Sequence, residues 1–524
     1  MIYRSHIPDV DIPNAPFPTV ALRNATRLAD KPAFIDAESG RIVTFSELRH
    51  LVDRAAAGLH ERGVRKGDVV AMFAPNSIDY AIAFYAITSL GAIAALANPT
   101  WTANELGTQL SRQSARFMLT TSALLDTVQA ANAPLLTNDR IVVFGEHPTL
   151  RTFDELLAST ASVPVVDIDP ERDIAALLCS SGTTGMPKSV MLSHRALVAT
   201  GAVGAVPEGV QEHDVLPGQL PLFHAFGVLI NLASGPMAGA TSVIISRFDF
   251  ERFLQLVQTY RMTKIFTPPP LIVHLAKNPI VDNYDLSSLA FILSGAAPLG
   301  GDVQELVRNR VGCLVKQGYG MSEGVPTLIC PNDLPFEKQG SAGKLTSRTE
   351  ARVVDPESGQ DLPTGERGEL WMRGPQMMSG YLNDPEATAA TLDSDGWLHT
   401  GDIAYADEDG YFYVVDRLKE LIKYKGYQVA PAELEAILLT HPAVADAAVV
   451  RYPDDDAGEI PKAFVVTRAP IDAETLMAFV AGQVAPYKKV RMVEFIDVIP
   501  KSPSGKILRR ELIARDRQPT PVLV

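Results

Sequence analysis

Apolar residues recur at helical spacing over Phe45–Arg62, with Ser46 near the start and Gly63 after the end, which predicts an amphipathic helix. Val69–Ala74 is a continuous apolar run stopped by Pro75-Asn76 and predicts a buried strand. The 18 residues from Tyr80 to Ala97 carry no charge. They are rich in Ala and hold Tyr85, Thr88, Ser89 and Gly91, whereas a membrane span needs about 20 strongly apolar residues. A buried helix to about Leu90 and a short strand over Ala92–Ala97 are therefore expected. Further short apolar runs, Ile174–Cys179, Leu216–Leu220, Thr241–Ile245, Lys264–Phe266 and Phe291–Ser294, are bounded by Gly, Pro or Ser. They alternate with helix-like segments such as Phe250–Tyr260, and this alternation predicts α/β layers with largely parallel sheets. From about Gly340 to Val415 the texture changes to short strands (Ala351–Val354, Glu369–Arg373, Tyr411–Val415) punctuated by Gly and Pro, which predicts a small β-subdomain. A compact α+β tail follows Asp416.

A chain of 524 residues is too long for one hydrophobic core, so a division near residue 416 is expected, into 1–416 and 417–524. With 46% apolar and 21% charged residues the chain is composed to fold. Its net charge of −14 argues against a general nucleic-acid binder. That charge is uneven: residues 417–524 balance at +2 and the remainder at −16, so the smaller part can bring cations to an anion held by the larger one. The three cysteines, Cys179, Cys313 and Cys330, include no C-x-x-C spacing and cannot form a disulfide scaffold. With no basic-then-apolar leader over Met1–Pro18 and no Ser-Lys-Leu at the end, a reducing, cytoplasmic setting without an integral membrane segment is expected.

The most informative segment is Ser180-Ser-Gly-Thr-Thr-Gly-Met-Pro-Lys188, which follows the Ile174–Cys179 run. Gly182 and Gly185 let backbone approach a polyanion, the hydroxyls of Ser180, Ser181, Thr183 and Thr184 can donate hydrogen bonds, and Lys188 adds a positive charge. It is not a Walker A loop, because Pro187 stands where the second Gly must be and Val190-Met191-Leu192 reads as a strand. Alone, such a turn is also what a plain hairpin looks like.

Taken with Gln317-Gly-Tyr-Gly-Met-Ser-Glu323, Thr400-Gly-Asp402, the Asp416–Glu435 segment Asp-Arg-Leu-Lys-Glu-Leu-Ile-Lys-Tyr-Lys-Gly-Tyr-Gln-Val-Ala-Pro-Ala-Glu-Leu-Glu, and Ser504-Gly-Lys506, the loop resembles the ANL superfamily of adenylate-forming enzymes. The subgroup it is most similar to is 4-coumarate–CoA ligase and its bacterial relatives. All the motifs stand in order over nearly the whole chain. The resemblance implies a large multi-layer α/β N-terminal domain with a small β-barrel-like subdomain, and a mobile α+β C-terminal domain. It also implies activation of a small-molecule carboxylic acid with ATP, Mg²⁺ and coenzyme A, through an acyl-adenylate. The oligomeric state is left open.

Residue by residue, the resemblance gives Ser180, Ser181, Gly182, Thr183, Thr184, Gly185 and Lys188 to the triphosphate, with Ser189 standing where many relatives have Gly. Gln317, Gly318, Tyr319 and Ser322 belong to the nucleotide motif, Tyr319 offering a flat face to adenine. Ser322 replaces the more usual Thr. Glu323 resembles the Mg²⁺ ligand, although without the motif it reads as a helix-start Glu. Asp402 and Arg417 resemble the residues that hold the ribose hydroxyls; an Asp after Gly is otherwise a turn residue. Lys506, which on composition alone is a solvated turn lysine, resembles the lysine that reaches the carboxylate and α-phosphate during adenylation. Lys419 aligns with the hinge about which the C-terminal domain rotates. Lys423 then resembles an acyl-AMP contact, and Lys425, Gly426 and Arg247 resemble CoA contacts.

His224 resembles the gate histidine beside the carboxylate. Ala225, Phe226, Ile230, Ala296, Gly318, Val325 and Pro326 fall where relatives line the acyl pocket, and all are small or apolar. Plant coumarate ligases commonly carry Tyr and Ser at the positions of Phe226 and Ile230. The loss of both hydroxyls implies cinnamate-like or medium-chain acids as readily as 4-coumarate. The alternatives are a medium- or long-chain fatty acyl-CoA synthetase, a luciferase-like adenylate oxygenase, an adenylation module serving a carrier protein, and a non-catalytic nucleotide-binding protein. The match at Lys425 and Gly426 favours CoA over a carrier, and the intact Lys506, Glu323 and Asp402 argue against a silent site.

Overall fold

A computed structural model describes residues 1–180, 187–206, 209–425, 427–454, 457–503 and 505–516. Ser181, Gly182, Thr183, Thr184, Gly185 and Gly426, all candidate ligand contacts, lie outside the described residues.

The strongest periodicities became the elements they predict. Phe45–Glu61 is a helix that buries Leu48, Val52, Ala55, Ala56 and Leu59 on one face. Its cap is Thr44 rather than Ser46: the Thr44 hydroxyl accepts from Glu47 N–H and Glu47 returns a bond to Thr44 N–H, a complete capping box. Ile78–Ser89 is a helix buried almost all round after Asp79 in its first turn, which explains the lack of charge from Tyr80 onward, and Ile93–Ala97 follows as a buried strand. Among the described residues no helix is long and apolar enough to cross a membrane.

Three α/β sheets build the larger part. The eight-stranded sheet has a parallel centre of Ile174–Ser180, Ile93–Ala97, Val69–Phe73, Phe117–Thr121 and Ile141–Phe144, with Lys188–Ser193 antiparallel at one side. A four-stranded sheet joins Val215–Gly218 and Thr241–Ile244 to Pro32–Asp36. A five-stranded sheet runs parallel through Lys264–Thr267, Phe291–Ser294 and Leu314–Met321, then turns antiparallel into Gly324–Ile329. The cores between these layers are continuous apolar clusters, as buried parallel strands require.

The β-subdomain is an antiparallel five-stranded sheet of Tyr3–Arg4, Glu350–Val354, Gly368–Arg373, Leu398–Ala406 and Phe412–Arg417. Its last strand ends at Arg417 and the next strand, Ile422–Tyr424, belongs to a different sheet, so residues 418–421, with Lys419 among them, connect the two. That final sheet, with Tyr427–Val429, Val444–Asp454, Gly458–Thr467 and Met492–Phe495, packs on the Pro431–Thr440 and Ala473–Ala481 helices around its own core. The chain is thus a two-domain α/β protein.

Candidate functional site

Two cavities meet at the boundary of the domains. The larger is a cleft with Gln317, Gly318, Tyr319, Asp402 and Arg417 on one side and Lys419, Lys423 and Lys506 on the other. The smaller pocket is walled by His224, Ala225, Phe226, Ile230, Val325 and Pro326. Ala296, Gly318, Tyr319 and Lys506 line both, so the lysine stands at their junction.

Local chemistry delivers Lys506 there. The turn is closed by Ser502 N–H donating to the Lys506 carbonyl at 2.8 Å and by a bridge between Lys501 and Ile507. Gly505 takes φ +81° and packs on Pro268, where a Cβ would lie 2.9 Å from that ring. Only glycine allows this left-handed, touching approach, and it seats the lysine against the larger domain. The Lys506 ammonium has no hydrogen-bond partner among the described residues. Burial, then the like charge of Arg417, push it below the ordinary lysine value, while Asp402, Glu323 and Glu420 oppose the shift.

Asp402 is the counter-charge. It is 7% exposed, accepts from the Tyr319 hydroxyl at 2.5 Å, and pairs with Arg417 Nε at 3.5 Å. Burial raises its carboxyl above the ordinary value against the pull of Arg417, Tyr319 and Lys506. The antiparallel register Asp402–Arg417 brings the two onto neighbouring strands. Gln317 lies in the same wall, but its amide is occupied: Nε2 donates to Leu299 carbonyl at 3.0 Å and Oε1 accepts from Leu299 N–H at 2.9 Å. It shapes the cleft by fixing the loop after Phe291–Ser294.

Glu323 is not at a helix start. It sits in the turn between Leu314–Met321 and Gly324–Ile329, and is 5% exposed. Tyr381 donates its hydroxyl to Glu323 Oε1 at 2.8 Å, and the Tyr381 ring lies 4.6 Å from Lys188 Nζ. One tyrosine therefore joins the cation at the end of the Gly/Thr-rich loop to the carboxylate of the nucleotide motif. Nothing local marks Tyr381, which stands 58 positions from Glu323 and reaches it through the pairing Val190–Tyr381. Ser180 and Lys188 are themselves partners across a hairpin, which excludes a strand–loop–helix phosphate motif. Ser189 is buried, and its hydroxyl accepts from Gln113 Nε2 at 2.9 Å; Gln109 holds the Pro187 carbonyl at 2.7 Å. The hydroxyl that departs from the family's Gly thus ties this hairpin to the Ala103–Gln113 helix.

In the pocket, His224 caps a short helix with Nδ1 accepting from Phe226 N–H at 3.3 Å. Burial, then the nearby Lys506 charge, lower the imidazole to about 3, so it is neutral near pH 7. With Nδ1 accepting, the ring proton is on Nε2, which leaves a donor. Leu229 and Ile230 come from a π-helical stretch, Val228–Ser234, and Phe266, Leu293 and Ile329 complete an apolar wall. The Phe226 ring covers Gly295, where a Cβ would lie 3.0 Å from it. Gly204, Leu229, Phe266, Leu293 and Ile329 were not singled out in the sequence, because wall residues look like any other core residue there.

Lys425 and Arg247 line neither cavity and are exposed. Lys425 takes φ +47° and its ammonium lies 5.9 Å from the Tyr424 ring; Lys423 is exposed on the cleft rim, its N–H bonded to Glu459. Ser322 lines the pocket.

The profile of the AMP-binding enzyme family matches residues 22–382, and that of the AMP-binding enzyme C-terminal domain matches 433–506. The chain is 42% identical to 4-coumarate–CoA ligase 1 of Petroselinum crispum, over 98% of this chain and 97% of that protein. It is 44% identical to 4-coumarate–CoA ligase 2 of Oryza sativa subsp. japonica, over 98% and 95% respectively. Among solved structures, the anthranilate CoA ligase AuaEII in complex with anthranoyl-AMP superposes with a TM-score of 0.89 at 27% identity, covering 96% of this chain and 98% of that one. The motifs, the cleft they line and these matches agree: the chain belongs to the AMP-binding enzyme family.

Proposed function

We propose that this protein is an AMP-forming acid–CoA ligase. A carboxylate oxygen attacks the α-phosphate of ATP and pyrophosphate leaves; the CoA thiol then attacks the acyl carbon, and AMP leaves as the thioester forms. The observation that carries this reading is Lys506 at the junction of a nucleotide-sized cleft and an apolar pocket, facing the Asp402–Arg417 pair. A single ammonium at that point neutralises both the attacking carboxylate and the phosphate it attacks, which is where catalysis of such a step lies. Neutral His224 offers its Nε2–H to the carboxylate without adding a competing charge.

For Mg²⁺, Glu323 fits as the protein ligand: a buried carboxylate with Tyr381 on one oxygen, and no cluster of three or more acidic, His or Cys side chains among the described residues. Such a site suits a hard cation held by one carboxylate and by substrate phosphates. Held there by Glu323, the ion would supply positive charge to neutralise the phosphates. The lid carries Lys419 in the 418–421 connector, and rotation there would withdraw Lys506 and bring Lys423, Lys425 and Gly426 round, with Arg247, for the thiol step.

The apolar wall points to an aryl or medium-chain acid, cinnamate-type acids foremost. A panel of cinnamates, benzoates and C6–C16 acids, assayed for pyrophosphate release and CoA thioester, tests the function; no thioester from any member would refute it. Phe226→Tyr restores a hydroxyl beside Ala225 and Ile230 and is expected to raise relative kcat/KM on hydroxylated cinnamates by about tenfold, the worth of one good hydrogen bond. An unchanged order across the panel would remove Phe226 from selectivity. Tyr381→Phe removes one donor from Glu323 and keeps the ring over Lys188. The KM for ATP is expected to rise about tenfold while thioester formation from supplied acyl-AMP stays level. Equal loss in both would make Tyr381 a structural residue only.

A further inference from the structure

The Pro431–Thr440 helix of the smaller domain has no side-chain cap at its N-terminus, and at its C-terminus its own groups reach only the Ile437 carbonyl, through the Thr440 hydroxyl at 2.7 Å, and the Leu438 carbonyl, through His441 N–H. Both ends are held from outside. At the N-terminus, Ala432 N–H donates to Asp416 Oδ2 at 2.9 Å. At the C-terminus, Lys277 Nζ donates to the Leu439 carbonyl at 2.6 Å and reaches the Val444 carbonyl at 3.4 Å. A helix leaves N–H groups bare at its start and carbonyls bare at its end, with partial positive and negative charge respectively. A carboxylate at the first and an ammonium at the second is the matched arrangement.

The origin of the two groups gives this clamp its meaning. Lys277 is the last residue of the Pro269–Lys277 helix in the larger domain, and Asp416 lies on the Phe412–Arg417 strand of the β-subdomain. Both precede the 418–421 connector, whereas the clamped helix follows it. The same Pro269–Lys277 helix opens the wall on which Gly505 seats, through Pro268 and Pro270. The contacts at Lys277 and at Gly505 therefore belong to one docked arrangement, in which Lys506 is in the cleft. Other charges near Lys277 make its placement costly without the carbonyls: burial, then Arg468, lower its ammonium below the ordinary lysine value, and only Asp446 opposes. Asp446 is itself paired with Lys501 at 2.5 Å.

We infer that Lys277 is a positioning residue for the adenylation step: by capping the C-terminus of the Pro431–Thr440 helix from the larger domain, it holds the lid with Lys506 in the cleft. It touches no reacting atom. Rotation of the lid about the connector breaks the Lys277 and Asp416 contacts together and returns Lys277 to water, so the clamp favours the first half-reaction only. This rests on the acid–CoA ligase reading.

The test separates the half-reactions in Lys277→Gln and Lys277→Arg, with melting temperature as the control for folding. In Lys277→Gln, acyl-adenylate formation from acid and ATP is expected to fall about tenfold or more, the loss of a charge-assisted bond. Thioester formation from supplied acyl-AMP and CoA is expected to hold or to rise. Lys277→Arg, whose guanidinium can still reach the two carbonyls, should recover most of the adenylation rate. Equal loss in both half-reactions, no loss in either, or no difference between the Gln and Arg variants overturns the inference. Failure of the ligase reading itself would appear in the unmodified protein, as no thioester from any acid.

Discussion

Lys506→Ala is expected to lower acyl-adenylate formation by about 10²–10³-fold or more, the worth of a preorganised charge aimed at a developing anion. The fold should tolerate the change. The ammonium has no hydrogen-bond partner among the described residues and is depressed by burial and by Arg417, so removing it relieves a buried like-charge contact. Arg509, three residues on, keeps the loop anchored through Glu420 at 2.9 Å and Glu435 at 2.7 Å. The diagnostic is the split: with acyl-AMP supplied, the variant should still make thioester from CoA, because Lys506 has no task once AMP is the leaving group. A variant that melts normally but has lost both half-reactions would show that Lys506 supports the site as a whole. Lys277→Gln should move in the same direction by a smaller factor, since it weakens the delivery of the ammonium and leaves the ammonium intact.

What was legible in the sequence follows the range of the forces involved. Local periodicity fixed Phe45–Glu61 and Phe250–Tyr260, and continuous apolar runs fixed the parallel strands, because side-chain spacing reports directly on the face that is buried. The cap at Thr44 was missed in favour of Ser46, which lies inside the helix that begins at Phe45; the reciprocal bonds between Thr44 and Glu47 mark Thr44 as the cap. Pairing between distant segments left no local mark. Tyr3–Arg4 joins a sheet whose next strand begins at Glu350, and Tyr381 meets Glu323 through an antiparallel pairing with Val190. Lys277 was not singled out in the sequence; its partners lie 162 and 167 positions away. The motif residues Lys506, Asp402, Arg417 and Tyr319 were found by resemblance, and they converge on one cleft. Gln317 came with the same motif, yet its amide serves the Leu299 backbone, a use that spacing alone does not reveal.

Asp402→Ala is the second large effect, and it acts in the opposite electrostatic sense. In the folded protein this carboxylate faces the Tyr319 hydroxyl, the Arg417 guanidinium and the Lys506 ammonium at once. Its removal leaves two cations near each other with Glu323 and Glu420 as the remaining counter-charges. Breaking a buried pair typically costs ~3–5 kcal/mol, and the lower end applies here because Arg417 is a third exposed and can turn to water. The variant should therefore melt lower than Lys506→Ala, and ATP should bind at least tenfold more weakly in equilibrium titration. Asp402→Asn tests the charge separately from the shape: its amide oxygen can still accept from Tyr319, so only that bond's share of stability, about 1 kcal/mol, should return while Arg417 and Lys506 stay uncompensated. If Asn restored ATP affinity as well, the role of Asp402 would be to orient Tyr319, and the charge balance around Lys506 would have to be set by Glu323 and Glu420 instead.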